Sequence, residues 1–306
     1  VPYVDGTTVV LPGGRQVALE RPPKLFAEDI AGESYGAMAR VPAGWISTTY
    51  DFMQDVSTFH SPDGSFRRRP AGSGPISVSP DGRRVLTWDT GQTVLLDSGS
   101  QDITEDVLTV PGVSAARLEP VGLVGRRGRQ VVLNLLNLRH MTAAGVVVTD
   151  GRDVVEVPGV ARAASVSARA GIISGTHHRG TRARASTVYS LDGESLLHAP
   201  GFELVGFSPD GTLAVGVPHR WNPRRVVVVS MATGKVLLHL ELRGSLTWED
   251  DRHVLVAMSR VTRTTLRQGL LRVSLDGAAV WAVPMRSRPL LSGRPNHGPH
   301  PVLQPD

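Results

Sequence analysis

Arginine is the residue this sequence supplies in quantity for recognition chemistry: all but Lys24 and Lys235 of its 33 basic residues are arginine, against 28 acidic ones, for a formal net charge of +5. The arginines gather in short polar runs, often beside histidine. Arg139-His140, His177-His178-Arg179 with Arg182 and Arg184, His219-Arg220-Trp221-Asn222-Pro223-Arg224-Arg225, and the group Arg260, Arg263 and Arg267 are four such runs. A guanidinium stays protonated and offers a planar fork of donors that matches a carboxylate or phosphate, so the chemistry on offer is anion recognition. Trp221 adds an aromatic flanked by arginines, an ordinary component of a binding surface. A preference for Arg over Lys also follows from a high-GC genome without any function, so what matters is where the arginines lie.

Groups for covalent or metal chemistry are not arranged for it. Cysteine is absent, which excludes disulfides, thiolate metal sites and cysteine nucleophiles. The sequence contains no Gly-x-Ser-x-Gly elbow, phosphate loop, dinucleotide fingerprint or His-Glu-x-x-His pair. His177 and His178 adjoin, and neighbours in an extended segment point to opposite sides, which suits a surface loop better than a shared ion. His297 and His300 lie in a tail rich in Pro and Gly, and Asp150-Gly151-Arg152-Asp153 has too few alternating oxygen ligands for a calcium loop. No catalytic residue, metal ligand or cofactor is therefore expected. No run approaches the roughly 18 apolar residues of a membrane-spanning helix. The start, Val1-Pro2-Tyr3, lacks both an initiator Met and a signal-peptide pattern, so the chain reads as a trimmed soluble part.

The elements that must position these runs are short strands. Pro75–Val78, Arg83–Trp88 and Gln92–Leu96, then Leu204–Phe207, Thr212–Val217, Arg225–Ser230 and Val236–Leu240, are β-branched and aliphatic stretches of strand length. Ser79-Pro80-Asp81-Gly82 and Ser208-Pro209-Asp210-Gly211 join them as tight hairpins, Pro presetting one dihedral, Asp capping locally and Gly accepting positive φ. A second hairpin class recurs at Ser61-Pro62-Asp63-Gly64, Thr149-Asp150-Gly151, Leu191-Asp192-Gly193, Ala232-Thr233-Gly234 and Leu275-Asp276-Gly277. With strands lettered a to d from axis to rim, the first class joins a to b and the second joins c to d. First strands then begin near Ser34, Gly74, Val113, Ala163, Glu203 and Ser245, a spacing of about 40 residues with one unit stretched to about 50, the period of propeller blades.

The fold expected is all-β: residues 1–306 as a single β-propeller domain of four-stranded antiparallel blades. Thr7–Leu11, Pro12-Gly13-Gly14 and Arg15–Leu19 look like a c-to-d hairpin lacking its inner strands. A ring closes well when one blade combines both chain ends, because closure removes unpaired edges. A seventh blade is expected, its inner strands drawn from around Pro289–Ser292 and Pro301–Gln304. A six-bladed ring with an extra hairpin is the alternative. Trp45, Trp88, Trp248 and Trp281 fall on or beside strands, where burial between blades is expected.

The Ser-Pro-Asp-Gly turns followed by an aliphatic strand, at Ser79–Trp88 and Ser208–Val217, resemble the WD-like repeats of TolB-type bacterial propellers. Trp248-Glu249-Asp250-Asp251 before His253–Ala257 is a variant of the same turn. The resemblance covers four blades by motif and the rest by spacing. It implies a propeller with a general role in binding proteins or ligands, and it supplies no catalytic residue. It also implies an extracytoplasmic location, with an anchor or export signal upstream of this chain.

In a propeller the b-to-c and d-to-a connections emerge on one face and the a-to-b and c-to-d hairpins on the other. The four basic runs fall in b-to-c loops, and Arg67-Arg68-Arg69, Arg162, Arg243, Arg286 and Arg288 in d-to-a connections. The hairpins carry Asp63, Asp81, Asp150, Asp192, Asp210, Asp250 and Asp276. An electrostatically two-faced ring is expected, which would attract and orient anions. The ligand-binding set is Arg139, His140, His177, Arg179, Arg182, Arg184, His219, Arg220, Trp221, Arg224, Arg225 and Arg263. Two functions follow from different classes. One is a non-enzymatic, monomeric scaffold binding a protein partner or an anionic polymer or glycan, nucleic acid ranking last because stacking aromatics are not interleaved. The other is a lyase or hydrolase at the central channel, drawing on Tyr50, Asp51, Trp88, Asp89, His140, His177 and His219.

Overall fold

The computed structural model describes residues 2–5, 7–22, 35–51, 54–74, 76–89, 92–99, 101–114, 117–137, 139, 142–176, 185–218, 225–241, 246–262, 265–289 and 300–303. At 35–36, 49–51, 54–55, 89, 185, 241, 261, 288–289 and 300–303 the description is of backbone alone. The amino end contributes β1 (Tyr3–Asp5), β2 (Thr8–Val10) and β3 (Gln16–Ala18). Blade 1 follows as β4 (Tyr35–Val41), β5 (Gly44–Asp51), β6 (Gln54–His60) and β7 (Phe66–Arg68). Blade 2 is β8 (Ser77–Val78), β9 (Arg84–Asp89), β10 (Gln92–Ser98) and β11 (Ile103–Val107). Blade 3 is β12 (Leu118–Val124), β13 (Gln130–Asn137), β14 (Thr142–Thr149) and β15 (Val154–Glu156). Blade 4 is β16 (Arg162–Ser167), β17 (Ile172–Thr176), β18 (Ala185–Ser190) and β19 (Ser195–Pro200). Blade 5 is β20 (Phe202–Phe207), β21 (Leu213–Pro218), β22 (Arg225–Ser230) and β23 (Val236–Glu241). Blade 6 is β24 (Leu246–Trp248), β25 (His253–Val261), β26 (Thr265–Ser274) and β27 (Ala279–Pro289), and β28 (His300–Leu303) completes a seventh blade, in the order β28-β1-β2-β3.

The protein is thus a seven-bladed β-propeller whose closing blade takes strands from both chain ends. Its composition differs from the expectation in one respect. The tail supplies only the innermost strand, and β1 supplies the second, pairing β28 at Tyr3↔Pro301 and Val4↔His300. Pro289 instead ends the outer strand of blade 6, because β27 runs on to pair Thr265 of β26. β28 also lies parallel to β4 through Val302↔Met38 and Leu303↔Ala39, which joins the two blades into one sheet. Blade 3 starts later than its spacing suggested: Val110 and Val113 form only a local bridge, and the inner strand begins at Leu118.

The core is divided among the seams between blades. Ile46 and Phe59 of blade 1 pack on Val85, Val94 and Leu96 of blade 2, and corresponding clusters fill each following seam. Middle strands are covered on both sides, which is why Val131–Leu133 and Val226–Val229 are unbroken buried apolar runs. Val4, Val9, Leu11 and Leu19 meet Met38 and Trp45 where blade 7 joins blade 1, and among the described residues the seam from blade 6 to blade 7 holds Leu255, Leu270 and Val283 with Tyr3 and Ala257.

The hairpin aspartates do the work assigned to them. Asp210 accepts from the Ser208 hydroxyl at 2.7 Å and from the Thr212 N–H at 2.9 Å, and Ser208 Oγ in turn accepts the Leu213 N–H at 3.0 Å. Asp63 is held at about 2 by the hydroxyl of Ser61 and then by the N–H and hydroxyl of Ser65. Asp276 is lowered by Ser274 and the Ala278 N–H, and Asp150 by the N–H groups of Asp153 and Arg152. His60, buried between β5 and β7 with Nε2 donating to the Glu20 carbonyl at 2.9 Å, is also lowered, chiefly by burial. Each of these groups has a folded pKa below its unfolded one, so each contributes stability above the unfolded value and loses it as pH falls through the folded value. Urea midpoints should fall in two stages on acidification, first below the ordinary histidine value of 6.5 and again between 3.8 and about 2. His60→Gln should remove the upper stage alone; a midpoint flat from pH 7 to pH 3 would contradict this reading.

Candidate functional site

Strand direction places the b-to-c and d-to-a connections on one face, and two of the twelve expected ligand-binding residues are described there. Arg139 sits in the β13–β14 loop, exposed, its backbone N–H donating to Asn137 Oδ1 at 3.1 Å. Arg225 opens β22, exposed, in register with Glu241. His140, His177, Arg179, Arg182, Arg184, His219, Arg220, Trp221, Arg224 and Arg263 lie outside the described residues.

Blade 6 alters the picture. The β25–β26 hairpin is longer than any other b-to-c pair among the described residues, and its ladder continues to Val261↔Leu266, closed by the Thr262 N–H donating to the Thr265 carbonyl at 2.8 Å. Arg260 and Arg267 are consequently strand residues, not loop residues, and stand directly opposite each other, both exposed. Like charges across a ladder are unfavourable. The strand was expected to stop at Ala257, and Ala257-Met258-Ser259-Arg260 carries no alternation to announce the extension.

The arginines of this face fall into two groups. Those of the d-to-a connections and outer strands tie blades together. Arg68 of blade 1 bonds Glu105 of blade 2 at 2.5 Å and also the Ile103 carbonyl. Arg162 of blade 4 lies 3.6 Å from Glu119 of blade 3, and Arg286 of blade 6 bonds Asp5 of blade 7 at 3.2 Å. Arg139, Arg260 and Arg267, by contrast, have no acidic partner among the described residues, and Arg225 stands opposite Glu241, which is described in backbone alone. All four residues are exposed.

The hairpin face is not the acidic surface expected. The β12–β13 turn carries Arg126, Arg127 and Arg129, and Arg15, Arg83, Arg152, Arg169 and Arg252 lie in or beside other hairpins, all exposed. Turn chemistry requires Asp at its own positions and leaves the rest open to the favoured charged residue. Glu249, Asp250 and His253 bring three potential metal ligands within 4.8 Å on this face. Their charge is already met: Arg272 Nε donates to Glu249 at 2.5 Å, and His253 Nδ1 lies 2.9 Å from both Asp250 oxygens. The tryptophans also divide. Trp45 is buried and Trp248 half-buried, but Trp88 and Trp281 are 41% and 46% exposed, because β9 projects at the loop face and β27 is a rim strand with no blade outside it. Of the residues considered for channel chemistry, only Trp88 has a described side chain; Tyr50, Asp51 and Asp89 are described in backbone alone. No described helix is long and apolar enough to cross a membrane.

No family model and no curated protein matches the sequence. Similarity appears among solved propellers. Kluyveromyces lactis Hsv2 with its complete loop 6CD matches at 12% identity and TM-score 0.50 over 92% of this chain and 93% of that one. The dihydro-heme d1 dehydrogenase NirN, in complex with DHE, matches at 14% identity and TM-score 0.50 over 97% and 73%. TolB from Acinetobacter baumannii matches at 17% identity and TM-score 0.47 over 87% and 66%. At these identities the likeness shows the β-propeller fold alone, shared by proteins of unlike activity.

Proposed function

We propose that this propeller is a non-enzymatic scaffold that binds an anionic ligand or an acidic protein partner through the arginines of its b-to-c face. The observation that carries this reading is the division of the arginines: those between blades are consumed in ion pairs, while Arg139, Arg260 and Arg267 are exposed without acidic partners among the described residues, on the face where Arg225 is also exposed. Holding Arg260 opposite Arg267 costs free energy in the isolated protein, and a bound carboxylate or phosphate converts that repulsion into two charge-assisted hydrogen bonds. Arg220, Arg224 and Arg263, from the same connections of blades 5 and 6, belong to the same proposed surface. So do His140, His177, Arg179, Arg182, Arg184, His219 and Trp221.

The test is binding to a panel of anionic polymers and acidic proteins across a salt series, with Arg139, Arg225, Arg260 and Arg267 changed together to Ser. Affinity for the true ligand class should fall steeply with salt and by about tenfold or more in the variant. The variant should melt no lower than the parent, since a like-charge pair is relieved. Weak binding to every anion, the same in both proteins, would reduce these arginines to a compositional bias.

A further inference from the structure

On the opposite, hairpin face, turns from three consecutive blades meet around a cavity of about 320 Å3. Arg15 comes from the β2–β3 turn of blade 7, Arg40 and Trp45 flank the β4–β5 turn of blade 1, Pro62 lies in the β6–β7 turn, and Asp81 in the β8–β9 turn of blade 2. The Trp45 indole N–H donates to the Pro62 carbonyl at 3.3 Å and the residue is 4% exposed, so the ring forms a fixed wall. Arg40 is the cross-strand partner of Trp45, with Cζ 5.7 Å from the ring centroid. Stacking restrains the guanidinium and leaves its N–H donors unused. Among the described residues neither Arg40 nor Arg15 makes an ion pair or a side-chain hydrogen bond. Asp81 is the acid of the lining, and its Oδ1 is committed to its own turn, accepting from Ser79 Oγ at 2.7 Å and the Arg83 N–H at 3.1 Å.

We infer that this cavity is a second binding site, which takes a single carboxylate group, carried by a small organic acid or by an acidic peptide. Two guanidinium forks against one carboxylate leave one positive charge to be met, which a monoanion meets fully. A dianionic phosphate would stand beside Asp81 and lose part of its gain to repulsion. The volume lies at the small end of ligand pockets, large enough for one acidic side chain or a compact acid. None of Arg139, Arg225, Arg260 and Arg267 lines the cavity, so this site is separate from the b-to-c face.

Calorimetric titration of the full chain with benzoate, with a short Glu-containing peptide amidated at its carboxyl end, and with inorganic phosphate tests the inference. At least one carboxylate probe should bind, and which one binds identifies the source. Arg15→Ser and Arg40→Gln should each weaken that binding by about tenfold, the effect of losing one charge-assisted pair. Asp81→Asn, which keeps an acceptor at the turn, should tighten it and admit phosphate. The four-arginine variant of the other face should bind the probe like the parent, whatever becomes of the scaffold reading. Absence of carboxylate binding, or binding unchanged in both single-arginine variants with parental melting temperatures, would overturn the site.

Discussion

Removal of residues 300–306 should open the ring, lowering the melting temperature by about 10 °C and exposing the first twenty residues to protease. β28 is the inner strand of blade 7 and lies between β1 and β4, so its loss leaves two unpaired strand edges facing each other. Val4, Met38 and Ala39, now fully buried, would gain access to water. Each large side chain re-exposed costs about 1.5–3 kcal/mol, and in a domain this size 1 kcal/mol is worth about 2 °C. At the neighbouring seam, Leu255, Leu270 and Val283 are the buried cluster among the described residues. Blade 7 would remain attached to blade 1 through the apolar cluster around Trp45 and through hydrogen bonds at Glu20, whose N–H donates to the Gly64 carbonyl, whose carbonyl accepts from His60 and whose carboxylate accepts from the Phe66 N–H. Limited trypsin digestion, read at Arg15, which is followed by Gln16, should show early cleavage in the truncated chain and protection in the parent. Equal protection and an unchanged melting temperature would mean that the tail strand is dispensable to closure.

Alanine at position 44 should cost about 3 kcal/mol or more, measured by urea unfolding. Gly44 has φ +144°, and a Cβ there would stand 1.9 Å from the His60 carbonyl oxygen and 2.9 Å from the Ser61 carbonyl carbon. Both are backbone atoms, so no side chain can turn aside; β5 would have to move from β6 at the pair Trp45↔His60. Forced strain of this kind belongs to the upper range of single-substitution effects. Gly13→Ala is the control, because φ is +82° there but nothing lies within 4 Å of the added carbon. It should cost only about 1–2 kcal/mol for the left-handed backbone. Equal costs at the two positions would refute the steric account. Gly44 also lines the hairpin-face cavity, so a displacement of β5 there should also weaken the proposed carboxylate binding.

Much of this architecture could be read from local residues. The Ser-Pro-Asp-Gly and Asp-Gly turns close the hairpins where they were expected, at Ser79–Gly82, Ser208–Gly211, Ser61–Gly64 and Leu275–Gly277, because their hydrogen bonds span only two to five residues. Blade spacing followed from the same turns. The three outer strands of the closing blade were only partly legible: the β2–β3 hairpin announced itself through Pro12-Gly13-Gly14, but Tyr3–Asp5 is a three-residue strand with no turn signal before it. The tail strand was legible in place but not in partnership. Pro301 pairs Tyr3, residues almost the whole chain apart, and no local preference reports such a contact.

The candidate sites divide in the same way. That arginine is abundant, clusters in connections and suits anions was determined by the sequence itself, as were the blade period of about 40 residues and the structural duty of the turn aspartates, whereas seven blades rather than six was settled by β28 pairing β1. Which arginines are consumed was decided by the tertiary structure, since Arg68, Arg162 and Arg286 find their carboxylates on neighbouring blades. The opposition of Arg260 and Arg267 depends on how far one hairpin ladder runs, and the cavity beside Trp45 depends on turns from three blades meeting. Turn geometry and strand period are short-range properties, written within a few residues. Charge pairing and cavity shape are sums over groups that closure of the ring brings together from distant positions, and they exist only once it has closed.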